Sequence, residues 1–309
     1  MPEVTVAIPT FRRPQGLARL LDALARLDTT ASVAVLVADN DAAAHEGFDL
    51  CAMMRDKGYR WPLRALIVAD RGIAAVRNAL VRDALANPKT QFVAMLDDDE
   101  WPSTGWLDAL LCEQAKTGAD LVQGSILFQF PQKAQAWTRS FDGLADIRGA
   151  SGPVAMPQGA GNVLIARAAL ETLAQPWFDP AFGLGGGEDL DFFTRLKAAG
   201  GRFAWSDEAI AHGDVAGTRV TLGWALSRAY SIGNSDMRVF LKYRPGLGER
   251  LAEGAKIAGA FVLSPILFAV LAFDSARRAD MLRRLWRAAG KAAALFGRRY
   301  NEYAVTHGE

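Results

Sequence analysis

Residues 96–102 read LDDDEWP, an apolar run that ends in four adjacent acids, Asp97, Asp98, Asp99 and Glu100. Neighbouring carboxylates repel one another, and folding alone gives no reason to assemble them; a cation close by does. Asp97 and Asp99 are two apart, so at an extended strand end their side chains share a face and can converge on one point. Hard oxygen ligands of this kind suit Mg2+ or Mn2+, which keep several waters and bind through one or two carboxylates plus substrate phosphates. The alternative is a solvated acidic turn capping a helix that starts at Ser103. Other polar groups fall at comparable places: Thr10 and Arg12 after VTVAIP (4–9), Asp39, Asn40 and Asp41 after VAVLVA, and Asp70 and Arg71 after LRALIVA.

Those places are set by elements that the pattern predicts. Strands are expected over 4–9, 33–40, 63–70 and 91–98. Helices with apolar residues at 3.6-residue spacing are expected over 13–27, where Pro14 stands near the start, and over 72–86. Continuous apolar strands separated by helices predict a mostly parallel α/β sheet covered on both faces. In such sheets ligands bind beyond the carboxyl ends of the strands, where the acids and arginines above collect. Farther on, the sequence predicts a helix over 103–117 and a strand over 120–130. A loop and strand are expected within 149–167, a glycine-rich loop entering a helix over 182–201, and two short strands within 202–214.

The chain has 309 residues, half of them hydrophobic, enough for one large or two smaller domains. Charge is divided unevenly. Residues 1–215 carry 20 Lys/Arg against 27 Asp/Glu, whereas residues 216–309 carry 15 against 7. An acidic body with a basic tail points to an anionic surface as the tail's partner and gives no basic footprint over the body for nucleic acid. The two cysteines, Cys51 and Cys112, form neither a disulfide framework nor a metal-type spacing, which suits a reducing cytoplasm. No signal peptide precedes the first strand. Within the tail, 257–273 is 17 residues without a charge, at the short limit of a membrane span and interrupted by Pro265. Arg277, Arg278, Arg283, Arg284 and Arg287 follow, interleaved with Leu282, Leu285 and Trp286, an amphipathic basic pattern suited to an anionic leaflet. A re-entrant or interfacial anchor is expected here, with a helical hairpin buried against protein as the alternative.

The segments VAIPTFRRPQGLARLLDAL, VLVADND, RGIAAVRNALVRDAL, FVAMLDDDEWP and GGGEDLDFFTRLKAAG, in this order and spacing, resemble the family 2 inverting glycosyltransferases of the GT-A fold. The likeness covers about residues 3–215 and is greatest to bacterial enzymes of exopolysaccharide and cell-surface glycan assembly, including the succinoglycan-type branch. It implies a catalytic domain over 1–215, with a nucleotide-binding half (1–100) and an acceptor half (101–215), and a helical extension over 216–309. It also implies roles for particular residues. Pro9, Thr10 and Arg12 line the nucleotide pocket, Asp39 meets the base, and Arg71 and Arg77 contact base and phosphate. Asp97 faces ribose and metal waters, Asp99 ligates the metal, and His212 completes the metal shell or else is a core histidine. Asp98 is grouped with the nucleotide pocket, turned, like Glu100, away from the metal. Asp189 is the catalytic base; Glu188 beside it belongs to the same loop, and either acid could instead cap the helix. Asn162 lines the acceptor pocket or holds a turn before a strand.

Elementary chemistry agrees with that scheme. Displacing a nucleoside diphosphate requires its phosphates to be neutralised, and a carboxylate must take the proton of the attacking hydroxyl. Asp189 follows GLGGG at a helix start, where the dipole favours the ionised form by about 0.3–1 kcal/mol. The Q-x-x-R-W motif of processive synthases is absent, which favours transfer of one sugar per encounter. The expected partners are a nucleotide-sugar donor, with uridine the leading base, and a glycan acceptor on a polyprenyl diphosphate carrier. The expected location is the cytoplasmic side of the inner membrane. Two competitors are a non-catalytic nucleotide-sugar-binding scaffold and a sugar-nucleotidyltransferase; the latter usually has a glycine-rich phosphate loop where this chain has PTFRRPQG.

Overall fold

The computed structural model describes residues 3–132, 136–141, 144–271 and 274–301. Its chain divides into two compact units. The first comprises residues 1–129, 146–183 and 188–214. It begins with the alternation β1 (Glu3–Thr10), α1 (Pro14–Ala25), β2 (Ser32–Asp39), α2 (Glu46–Asp56), β3 (Leu63–Ile67), α3 (Ile73–Ala86) and β4 (Thr90–Met95). After β5 (Glu100–Pro102) come α4 (Trp106–Thr117), β6 (Leu121–Gln129), β7 (Gly152–Val154), β8 (Val163–Ala166), α5 (Arg167–Glu171), α6 (Glu188–Ala198) and β9 (Phe203–Asp214).

These strands form one nine-stranded sheet in the order β3-β2-β1-β4-β8-β6-β9-β5, with β7 also pairing to β9. The β3-β2-β1-β4 half is parallel, whereas β8 runs antiparallel to both β4 and β6. The sheet is therefore mixed beyond β4. Both faces are covered, as the continuous apolar strands predict. On one face Val4, Val6, Ile8, Val35 and Val37 pack with Leu17, Leu20, Leu21 and Leu24 of α1 and with Trp106, Leu107 and Leu110 of α4. On the other, Ala7, Leu36, Ala38, Val93 and Met95 pack with Val76, Leu80 and Val81 of α3 and with Phe192, Phe193 and Leu196 of α6. Pro9 is accommodated in β1 because it lies past the last β1–β4 rung, Ala7 opposite Met95.

Some elements differ from the sequence expectation. The span 202–214 is one strand, β9, rather than two short ones; its pairing with β6 shifts register between Gly124 and Ser125. Strand β4 stops at Met95, so Asp97, Asp98 and Asp99 lie in the turn beyond it, and Glu100 opens β5, a three-residue strand antiparallel to β9. Helix α4 starts at Trp106 with Gly105 at its cap, so Ser103 does not cap it.

The second unit comprises residues 130–145, 184–187 and 215–309. It contains α7 (Leu222–Lys242), α8 (Leu247–Val270) and α9 (Ser275–Leu295). Helices α7 and α9 meet where Gly290 stands against the backbone of Tyr230; a Cβ at Gly290 would lie 2.0 Å from the Tyr230 carbonyl oxygen. Asn234 ties the same junction, donating from Nδ2 to the carbonyls of Gly290 (3.2 Å) and Arg298 (2.9 Å). Helix α8 runs through Pro265 without a break. Its buried residues are Ile257 and Ser264, while Phe261, Val262, Leu263, Ile266, Leu267 and Val270 are exposed. Among the described residues it is the one helix long and apolar enough to cross a membrane. Residues 272–273 of the apolar run lie outside the described residues.

Candidate active site

The carboxyl ends of β1 and β4 are adjacent in the sheet, which brings the residues after β1 to the acidic turn. Asp98 is the joint between them. Its Oδ2 accepts from the Thr10 hydroxyl (2.9 Å) and the Phe11 N–H (3.3 Å), and its Oδ1 accepts from Arg13 Nη1 (3.0 Å). The same Arg13 nitrogen reaches Asp99 Oδ2 at 2.8 Å. Arg13 is thus drawn onto two carboxylates, and its own pKa is raised: desolvation opposes this, but the charges of Asp98 and Asp99 outweigh it. Burial in turn pushes Asp98 up to about 7, against the pull of Arg13.

Asp97 and Asp99 keep side chains about one-third exposed, at 37% and 32%. Glu100 turns inward, accepting the Asp97 N–H at 3.3 Å, and burial with the neighbouring charges of Asp97 and Asp99 raises its pKa well above the ordinary carboxylate value. Arg77, buried in α3, donates to Asp97 Oδ1 (3.1 Å) and to Glu188 Oε1 (2.6 Å). Glu188 begins α6 and is buried; its Oε2 has no hydrogen-bond partner among the described residues, and burial holds it up at about 7. Asp189, one residue on, is half-buried, and its Oδ1 accepts the local Leu190 N–H at 2.8 Å.

The predicted nucleotide residues fall in two groups. Arg71 lies with its guanidinium 4.0 Å from the Phe11 ring centroid and Arg12 with its own at 5.0 Å, so two exposed cations flank one aromatic ring at the end of β1. Arg12 holds a left-handed backbone (φ 54°) and bonds Asp41 Oδ2 at 2.6 Å. Asp39 is buried instead, its two oxygens accepting the N–H groups of Asp41 (2.9 Å) and Phe48 (3.1 Å). Asn40, which the pattern did not single out as functional, pins the loop after β3. Its Nδ2 donates to the Val68 and Asp70 carbonyls, and its Oδ1 accepts the Gly72 N–H.

Two predicted residues make their hydrogen bonds to groups other than the acids. Asn162 is fully buried with φ 51°; it accepts from Trp106 Nε1 (2.6 Å) and donates to the carbonyls of Ser125 and Ala209, tying β6, β9 and α4 together. His212 sits opposite Trp101 in the β5–β9 pair, with its ring stacked on that indole and Nε2 3.3 Å from Ser103 Oγ. Among the described residues no group of three or more His, Cys, Asp or Glu side chains is arranged to hold a metal. The acids nevertheless fit a cation in charge. Asp97, Asp98, Asp99 and Glu188 share two arginines, Arg13 and Arg77, with Glu100 and Asp189 close beside these acids, and among the described residues one buried carboxylate oxygen, Oε2 of Glu188, stays unbonded.

The family profile described as Glycosyl transferase family 2 matches residues 5–173. The chain is 34% identical over 280 residues to the succinoglycan biosynthesis protein ExoM of Rhizobium meliloti (strain 1021), covering 89% of this chain and 86% of that one. Its fold is similar to that of mannosyltransferase PcManGT from Pyrobaculum calidifontis, solved with GDP-Man and Mn2+ (TM-score 0.68, 18% identity, 96% of this chain and 88% of that chain). It is also similar to S. aureus TarS 1–349 in complex with UDP (TM-score 0.53, 15% identity, 97% of this chain and 93% of that chain). The architecture of the sheet and its helices is that of the GT-A glycosyltransferases.

Proposed function

The chain belongs to glycosyl transferase family 2 and is a glycosyltransferase, and from that premise we propose that it moves a single sugar from a nucleotide donor, a UDP-sugar, to a glycan acceptor in exopolysaccharide or cell-surface polysaccharide synthesis. The relative named for succinoglycan biosynthesis supports the pathway class. The single observation that carries the mechanism is the difference between two adjacent acids. Glu188 is buried and bound by Arg77, whereas Asp189 is half-buried at the start of α6 and has no basic side chain as its partner among the described residues. A carboxylate in that position can accept the proton of an incoming hydroxyl as it attacks the sugar carbon. One base and no covalent intermediate give inversion.

The phosphates and base of the donor fall to the rim at the end of β1, where Phe11 offers a ring and Arg12 and Arg71 offer cations. Thr10 and Pro9 form the floor beneath them, and Asp98 holds that floor to the acidic turn. Asp97 and Asp99, the two partly exposed acids, would hold Mg2+ or Mn2+, which when bound neutralises the diphosphate as it leaves.

The acceptor is read as a lipid-linked glycan because of α8. An apolar helix that shows most of its circumference to the exterior is costly in water and suited to the hydrocarbon of a bilayer. Arg277 and Arg284 of α9 are exposed cations of the kind that meet anionic headgroups. The cytoplasmic side of the membrane is the location this reading expects, in keeping with the free cysteines Cys51 and Cys112.

The test is calorimetric titration of UDP, GDP and dTDP into the full chain, each with and without Mn2+, and into Asp99→Ala. The reading expects UDP to bind with Mn2+ and the variant to lose at least about tenfold in affinity. No binding of any of the three under either condition would overturn the donor site, and with it the reading of the acidic turn as a metal–diphosphate site.

A further inference from the structure

Helix α3 grips the segment that leads into α6 at three points. At the first residue of the helix, the Ile73 N–H donates to the Gly183 carbonyl at 3.2 Å. Asn78 closes a reciprocal pair with the Phe178 backbone, donating to its carbonyl at 2.7 Å and accepting its N–H at 3.0 Å. Arg77 supplies the third, and it is the one that ends on the acids. Its Nη1 and Nη2 go to different carboxylates, Glu188 at 2.6 Å and Asp97 at 3.1 Å, one from each acidic motif. The Arg77 and Glu188 side chains are 6% and 2% exposed, so water does not compete for the pair. A residue gripping a diphosphate would turn its fork toward the open face, but both terminal nitrogens of this one donate to protein carboxylates.

We propose that Arg77 is a positioning residue: acting through Glu188, it fixes the first turn of α6, and with it Asp189, against Asp97. The part concerning Asp189 rests on the reading of that residue as the base. The fork geometry is what the role requires. A lysine presents its donors from one nitrogen at the end of a flexible stem and cannot hold two separated carboxylates at a fixed spacing.

Hydrogen exchange on the ligand-free full chain tests this without any donor, using wild type, Arg77→Lys, Glu188→Gln and the double variant. In each single variant the amides of 184–193 are expected to exchange at least about tenfold faster, while those of β1 and β2 change by less than about twofold. The double variant should be no faster than the faster single one, because both remove the same link. Where Arg77→Lys fails to fold, Glu188→Gln, which keeps the shape and a neutral acceptor, carries the same comparison. A second readout uses a UDP-sugar with Mn2+ and a lipid-linked glycan acceptor: turnover at saturation should fall about a hundredfold in Arg77→Lys with affinity for UDP within about threefold. Unchanged protection of 184–193, additive effects in the double variant, or a loss of UDP affinity as large as the loss of turnover would each overturn the proposal. The last outcome would make Arg77 a diphosphate contact.

Discussion

Gly16 offers a test in which helix propensity and packing predict opposite signs. It lies in the first turn of α1, and a Cβ there would stand 2.6 Å from the carbonyl oxygen of Asp98 and 3.6 Å from its carbonyl carbon. The obstacle is backbone, so no rotamer relieves it. Restoring an ordinary carbon–oxygen contact requires α1 and the acidic turn to separate by about 0.7 Å. Arg13, three residues earlier, bonds Asp98 and Asp99 at 3.0 and 2.8 Å, and the same displacement stretches both bonds. Alanine in place of a helical glycine would on its own stabilise by about 0.5–1 kcal/mol. Overpacking at a tight contact costs about 1–3 kcal/mol, so Gly16→Ala should destabilise by up to about 2.5 kcal/mol overall. Urea denaturation followed by circular dichroism measures this, with Gly254→Ala in α8, where a Cβ meets nothing within 4 Å, as the control expected to gain stability. Because the acids move, affinity for UDP with Mn2+ should drop about tenfold. Stabilisation of Gly16→Ala as large as the control's, with nucleotide affinity intact, would refute the packing argument.

Two further predictions concern pH and lipid. Burial holds Asp98 and Glu188 up at about 7, so each contributes stability that is complete below the unfolded carboxylate pKa, about 4, and is lost as pH rises through 7. Stability without metal should therefore fall from pH 5 to pH 8, and Mn2+ should raise the melting midpoint more at pH 8 than at pH 6; a metal shift equal at both pH values would contradict this. In flotation with vesicles containing anionic lipid, the full chain should rise with the vesicles and Leu263→Asp/Ile266→Asp should lose at least about fivefold in bound fraction, since two exposed apolar side chains become charged on the face read as inserting. Equal flotation of the two proteins would remove α8 from the contact.

The sequence was most legible where burial is two-sided and regular. The apolar runs of β1, β2 and β4 and the leucines of α1 at i, i+3, i+4 and i+7 follow directly from the periods of strand and helix. Strand β9 was read as two because Ser206, Asp207 and Glu208 interrupt its apolar pattern; the register shift against β6 absorbs them, and Asp207 is held by Arg148 and Ser125. Three-residue β5 contains an acid and a proline and carries no strand period at all. The partner of Arg77 was not legible either. Glu188 lies 111 residues away, and nothing local in RGIAAVRNAL says that its arginine faces carboxylates rather than a ligand. Asn40 likewise looked like one more polar residue after a strand, although its three bonds define the loop that carries Arg71.

The most direct measurement of the central claim is the pair of nucleotide affinity and turnover in Asp189→Asn, which keeps the side chain's shape and removes its basicity. With a sugar donor carrying the nucleotide that calorimetry selects, Mn2+ and a lipid-linked glycan acceptor, the account predicts unchanged affinity and turnover lower by at least about a hundredfold. Turnover near that of the wild type, or a loss of affinity that matches the loss of turnover, would contradict Asp189 as the base.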